Sequence, residues 1–140
     1  MFLVKDLMAM LNYTAIVTLL AILFYFYTSL AVGQARVKYG VHAPAISGHP
    51  EFERLFRIQM NTMEWMPIFL PSLWLFALYV NDLAAASIGL LWVLARILYF
   101  RGYAAAAEKR HTGFGIQALA AALLYIGAFA GIVMKMLPSA

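Results

Sequence analysis

The stretch NYTAIVTLLAILFYFYTSLAV, Asn12–Val32, decides the fold. It lies inside an interval, from Asp6 to Arg36, that contains no other Asp, Glu, Lys or Arg. A helix of about 20 mostly apolar residues is enough to cross the hydrocarbon core of a bilayer. A second such interval, His111–Met134, contains GIQALAAALLYIGAFAGIVM. Between the two lie shorter charge-poor stretches: MPIFLPSLWLFALYVN (Met66–Asn81), then Leu83–Ala95, then Ile97–Phe100 beyond Arg96.

Composition points the same way. The 140 residues are 65% apolar and 11% charged, against roughly 45–50% and about 25% in soluble domains. So few charges cannot cover a small water-soluble domain, and so many aromatics do not suit a disordered chain. There is no cysteine, which excludes disulfides, thiolate metal sites and a cysteine nucleophile. The expected fold class is therefore all-α and integral to the membrane. We read one domain over 1–140, a bundle of four transmembrane helices at about 10–34, 51–80, 83–107 and 113–137. The second helix, from about Glu51 to Val80, would be about 45 Å long at 1.5 Å per residue, so its charged first turns stand in or above the headgroups. Pro67 and Pro71 lie within it, and membrane helices tolerate the bends and local unwinding that proline introduces. A cleaved secretory signal is the alternative for the first span, but its apolar run is longer than the usual stretch of roughly 7–15 residues.

Orientation follows from the basic residues. Arg36, Lys38, Arg54, Arg57, Arg101, Lys109 and Arg110 would share one side, against Lys5 and Lys135 on the other. Basic loops stay in the cytoplasm, so the two longer connections should face it and both termini the opposite side. The net charge of +4 is then a topology signal, and no nucleic-acid partner is expected from basic residues gathered at helix ends.

Two helices carry polar faces that lipid would not accept. At 100° per residue, Arg54, Arg57, Asn61 and Glu64 fall within an arc of about 80°. Arg96, Tyr99 and Tyr103 recur at i, i+3 and i+7 on the next helix, and Arg110 joins them if that helix continues. Together the faces describe a wet, basic pocket at the cytoplasmic ends of adjacent spans. Glu64 and Arg96 are candidates for a buried ion pair holding the helices in register. One carboxylate cannot neutralise the remaining arginines, and a small ligand with several carboxylates would suit them through bidentate pairing. Gln59 points about 140° away from Arg54. It makes either a helix–helix hydrogen bond or a contact into a neighbouring subunit's pocket. His42, His49 and His111 fall in expected loops without metal-ligand spacing, and no metal site is expected.

The segment RVKYGVHAPAISGHPEFERLFRIQMNTMEWMPIFL, followed by ARILYFRGYAAAAEKR, resembles the membrane-associated proteins in eicosanoid and glutathione metabolism, the MAPEG family. The pattern is nearest that of its microsomal glutathione transferases and leukotriene C4 synthase. Its core is FERxxRxQxNxxE (Phe52–Glu64) with RxxYxxGY (Arg96–Tyr103), and the likeness spans about residues 10–137. The resemblance implies a homotrimer that binds glutathione between subunits near the cytoplasmic face, with glutathione as cosubstrate and membrane lipid around it. It implies that Arg57, Asn61 and Glu64 hold the carboxylates and amino group of glutathione, beside Arg54 and Trp65, the last standing where relatives often have Tyr. Tyr99 and Tyr103 would add hydroxyls, and Gln59 and Arg36 would reach in from the neighbouring protomer. Arg110 matches the arginine assigned to the thiol, with Tyr99 as a second catalytic donor and Lys109 as a competitor for the arginine's role. Val37 stands where leukotriene C4 synthase has a second arginine, which places the chain nearer the general transferases.

The expected function is conjugation of glutathione to lipophilic electrophiles arriving from the bilayer, with reduction of lipid hydroperoxides by the same activated sulfur. The alternatives are a non-catalytic lipid-presenting scaffold resembling the 5-lipoxygenase-activating protein and a small transporter or channel. That scaffold lacks the arginine matching Arg57, which favours the enzyme.

Overall fold

The computed structural model describes residues 11–137, so Lys5 lies outside the described residues. Within them the chain is all-helical. Helix α1 covers Asn12–Tyr39, α2 Pro50–Tyr79, α3 Asp82–Ala105 and α4 His111–Met136, with a short 3-10 turn, Ala107–Arg110, between the last two. Three stretches are long and apolar enough to cross a membrane: Asn12–Tyr39, Asp82–Ala105 and Ala107–Met136. Helix α2 is as long but is not among them, because its first half carries the charged stripe.

The helix ends explain where the expected spans and the structure differ. Helix α1 continues to Tyr39, five residues past the expected end near 34, because its stop is Gly40. That glycine takes the left-handed conformation at φ 65°, and Val41 N–H returns to the Arg36 carbonyl at 3.0 Å, a conformation glycine adopts without steric penalty. Helix α2 opens with Pro50 at its first position, preceded by His49, whose Nδ1 accepts the Glu51 N–H at 3.3 Å. Proline is favoured there because its missing N–H would have had no partner. Pro67 and Pro71 sit inside α2, which remains helical through both. Asn81 caps α3 by accepting Ala84 N–H at 2.9 Å.

The same turn caps α1. The Asp82 carboxylate accepts the N–H groups of Tyr13 at 3.1 Å and Thr14 at 3.0 Å, donors that a first helical turn leaves without intrahelical partners. Lys135 Nζ meets the Leu78 carbonyl at 3.5 Å, so the end of α4 lies at this end too. The cluster of basic residues between Arg36 and Arg110 belongs to the opposite end of the bundle.

The core is built from Phe69, Leu73, Trp92, Leu124 and many alanines, with the Phe69 and Trp92 rings stacked at 3.9 Å. Small residues allow helices to approach closely where lipid offers no hydrophobic drive for association. The outside is as apolar as the inside: Leu19 is 67% exposed and Phe129 63%. Such continuous greasy faces suit contact with lipid or other chains rather than water.

Two close approaches fix the basic end. A Cβ on Gly113 would run into the Tyr99 backbone and the Ala95 carbonyl, so α4 meets α3 backbone to backbone. A Cβ on Gly102 would meet the Lys109 carbonyl, which seats the 3-10 turn on α3. Gly113→Ala should therefore lower stability in detergent by about 1–3 kcal/mol through overpacking. Gly115→Ala, where nothing lies within 4 Å, should be neutral or stabilise by up to about 1 kcal/mol through helix propensity. Thermal unfolding of both variants checks the pair, and equal midpoints would contradict the close approach.

Candidate functional site

A cavity of about 300 Å³ opens at the basic end, lined by Arg57, Asn61, Tyr99, Arg110, His111 and Phe114. Its wall is shared by α2, α3, α4 and the 3-10 turn. Arg57 and Glu64 are about 20° apart around α2, two turns along one face. Their side chains close that gap with an ion pair at 3.2 Å, and each is about half exposed. Asn61 Nδ2 donates to the other oxygen of Glu64 at 3.3 Å. Arg110 lies over the Tyr103 ring at 5.2 Å and donates to its hydroxyl at 3.5 Å. Among the described residues the ion pairs are Lys38–Glu51 and Arg57–Glu64. Arg96 and Arg110 thus have no carboxylate partner there.

Arg96 is the centre of the arrangement. It is fully buried, and its guanidinium is held by neutral oxygens alone. Nη1 donates to Asn61 Oδ1 at 3.0 Å and to Gln117 Oε1 at 2.8 Å, and Nη2 donates to the Thr62 hydroxyl. Its planar cation also lies 4.3 Å from the centre of the Tyr99 ring. A continuous polar chain therefore runs from Gln117 in α4 through Arg96 and Asn61 to Glu64 and Arg57.

The MAPEG family model matches residues 14–130. The chain belongs to the MAPEG family. It is 46% identical to microsomal glutathione S-transferase 2 of Homo sapiens over 79% of this chain and 76% of that protein. It is 42% identical to leukotriene C4 synthase of Mus musculus, over 96% and 87% respectively. An uncharacterized protein of Synechocystis is 45% identical over 90% of this chain and 92% of its own length.

Of the residues singled out in this MAPEG sequence, Arg57, Asn61, Tyr99 and Arg110 line the cavity. Glu64 joins it through Arg57, and Tyr103 backs Arg110. Trp65 stands behind Phe114, their rings edge to face at 5.7 Å. Three others are engaged by their own chain. Arg54 Nε donates to the Ala104 carbonyl at 3.2 Å. Arg36 folds onto the loop after α1, donating to Ala45 O at 2.7 Å and Val41 O at 3.3 Å. Gln59 Nε2 donates to Ser29 Oγ at 2.9 Å, the helix–helix bond that its angle left open.

The expected Glu64–Arg96 ion pair is not formed. Glu64 finds Arg57 on its own helix, whereas Arg96 points inward to Thr62, Asn61 and Gln117. His111 is not a loop residue but the first residue of α4, because the 3-10 turn leads into the helix without a break. Sequence reading missed His111, Phe114, Thr62 and Gln117 in these roles. The first three had a signal, since they lie within three or four residues of Arg110, or next to Asn61 on the striped helix. Among the described residues, no group of three or more His, Asp and Glu is arranged to hold a metal ion.

The Arg96 network makes one stability prediction. Thr62→Val keeps the side-chain shape and removes an acceptor from a buried charged donor, which should destabilise the protein by about 1–3 kcal/mol. Unfolding of the variant in detergent is the measurement, and an unchanged midpoint would mean that Arg96 does not depend on Thr62.

Proposed function

We propose that the chain is a membrane-embedded glutathione transferase that binds glutathione in this cavity, activates it as a thiolate and transfers it to lipophilic electrophiles. The observation that carries the reading is the cavity itself: two arginines, Arg57 and Arg110, line it together with Asn61 and Tyr99. Of the two, only Arg57 has a carboxylate beside it among the described residues. Glutathione brings two carboxylates and an ammonium. Arg57 and Asn61 are suited to a carboxylate, and Glu64 to the ammonium. Trp65, Tyr103 and Arg54 border these groups from the second and third helices. Relatives named as a glutathione S-transferase and as leukotriene C4 synthase support the same chemistry.

A thiol with a pKa near 8.5 is mostly protonated at pH 7, and the thiolate is the nucleophile. A guanidinium close to sulfur favours the charged form, at about 1.4 kcal/mol for each unit by which the pKa falls. Arg110 is the group for this, with Tyr99 as a second donor. Lys109 is the weaker candidate, since its backbone is packed on Gly102 and it does not line the cavity. Hydroperoxides would be reduced by the same sulfur.

In this reading α2 is the fourth span, the whole chain is one membrane domain, and the basic end faces the cytoplasm by its charge. Three copies assemble around the glutathione sites. Arg36 and Gln59, which lie away from their own chain's cavity, then serve the neighbour's. Electrophiles dissolve in the bilayer and approach between α1 and α4 of adjacent subunits.

Purified protein should conjugate glutathione to a model aryl chloride, and absence of turnover would return the scaffold reading. Arg57→Ala should weaken glutathione binding about tenfold or more, the size expected for lost hydrogen bonds to a charged group. Calorimetry reads this directly, and an unaltered Kd would remove Arg57 from the site. Arg110→Ala should abolish the ultraviolet absorbance of bound thiolate near neutral pH while leaving the Kd within about threefold. A persisting thiolate band would take Arg110 out of the mechanism.

A further inference from the structure

His111 is a cavity residue to which neither the family's motif nor the glutathione-binding stripe assigns a task. It shares the cavity wall with Arg57, Asn61, Tyr99 and Arg110, and it is exposed to solvent. It is also held in place. Two residues before it, the Lys109 carbonyl is seated on Gly102, and two residues after it, Gly113 lies against the Tyr99 backbone. The backbone that carries the imidazole is therefore anchored on both sides onto α3, the helix that supplies Tyr99. It comes directly after Arg110, so the proposed sulfur-binding cation and the imidazole enter the cavity from adjacent positions.

We infer that His111 is the proton donor to the oxygen that leaves when the bound thiolate attacks an organic hydroperoxide. The inference rests on the glutathione transferase reading and adds a residue to it. In this step sulfur attacks the terminal peroxide oxygen. A sulfur–oxygen bond forms, the oxygen–oxygen bond breaks, and the electron pair goes to the alkoxide. Sulfur is oxidised by two electrons and the peroxide is reduced. The alkoxide takes a proton from the His111 imidazolium and departs as the alcohol. A second glutathione then converts the glutathione sulfenic acid to the disulfide and water.

The other lining groups do not fit this task. Arginine does not release its proton in proteins, and Asn61 and Phe114 have none to give. Tyr99 is already committed to the sulfur as its second donor. Imidazole is the side chain that exchanges a proton between pH 5 and 8, and the exposure of His111 lets solvent recharge it. The charged and titratable groups around it are Arg57 and Glu64 of α2, Tyr99 and Tyr103 of α3, and Glu108, Lys109 and Arg110 of the turn.

Substitution of an aryl chloride provides the internal comparison, because chloride leaves without a proton. In the full-length protein in detergent, with glutathione saturating, His111→Gln should lower the ratio of hydroperoxide to aryl-chloride turnover at least about tenfold. The effect should fall on kcat, and added imidazole should restore part of the ratio in His111→Ala. Aryl-chloride turnover reports that each variant is folded. A ratio within about twofold of the unaltered protein's would overturn the role of His111 while leaving the transferase reading intact. No aryl-chloride turnover by the unaltered protein would overturn both.

Discussion

A guanidinium closed inside an apolar helix bundle has to find its oxygens within the protein, and Arg96 takes them from two neighbouring helices. Asn61 and Thr62 of α2 and Gln117 of α4 all turn towards it. Burying a charge without acceptors would be far more costly than burying it with them. The consequence reaches the cavity, because the oxygen of Asn61 is occupied by Arg96 and its nitrogen is thereby aimed at Glu64. Glu64 is then held from one side by Asn61 and from the other by Arg57. The orientation of polar groups at the surface of the cavity is thus set from deep inside the bundle.

A second constraint is the backbone contact that α3 makes with the 3-10 turn and with α4. With glycine at 102 and 113, the turn and the first residues of α4 lie directly on α3. Arg110 and His111 sit between those two contacts. Their reach into the cavity depends on packing between backbones, which leaves little freedom for the turn to drift. A site built on such contacts keeps its lining side chains close to one geometry.

Much of this is legible in the sequence, and the parts that are not have definite causes. Gaps between charges mark the apolar helices because uncompensated charge is expelled from hydrocarbon. The stripe from Arg54 to Glu64 is visible because helical periodicity places those residues on one face. Periodicity says nothing about which helix a stripe will meet, so it pairs Glu64 with Arg96 although a partner two turns away on its own helix is within reach. Gln117 lies alone among apolar residues in an alanine-rich span, with no polar stripe to mark its face, and only the packing of α4 on α3 turns it towards Arg96. His111 is hidden by the expectation that a loop joins Ala107 to α4, where the chain instead coils through a 3-10 turn into the helix. Arg36 and Gln59 show the limit of motif reading, since their motif positions do not reveal the hydrogen bonds they make within their own chain.

The carboxylate of Asp82 ties the beginning of α1 to the turn that starts α3. In order of synthesis, the first helix begins about seventy residues before its cap exists. Until Asp82 reaches that boundary, the leading amides of α1 must be satisfied there by water or headgroups. Assembly at that boundary is therefore sequential: the helix that enters first has its end sealed only when the third begins.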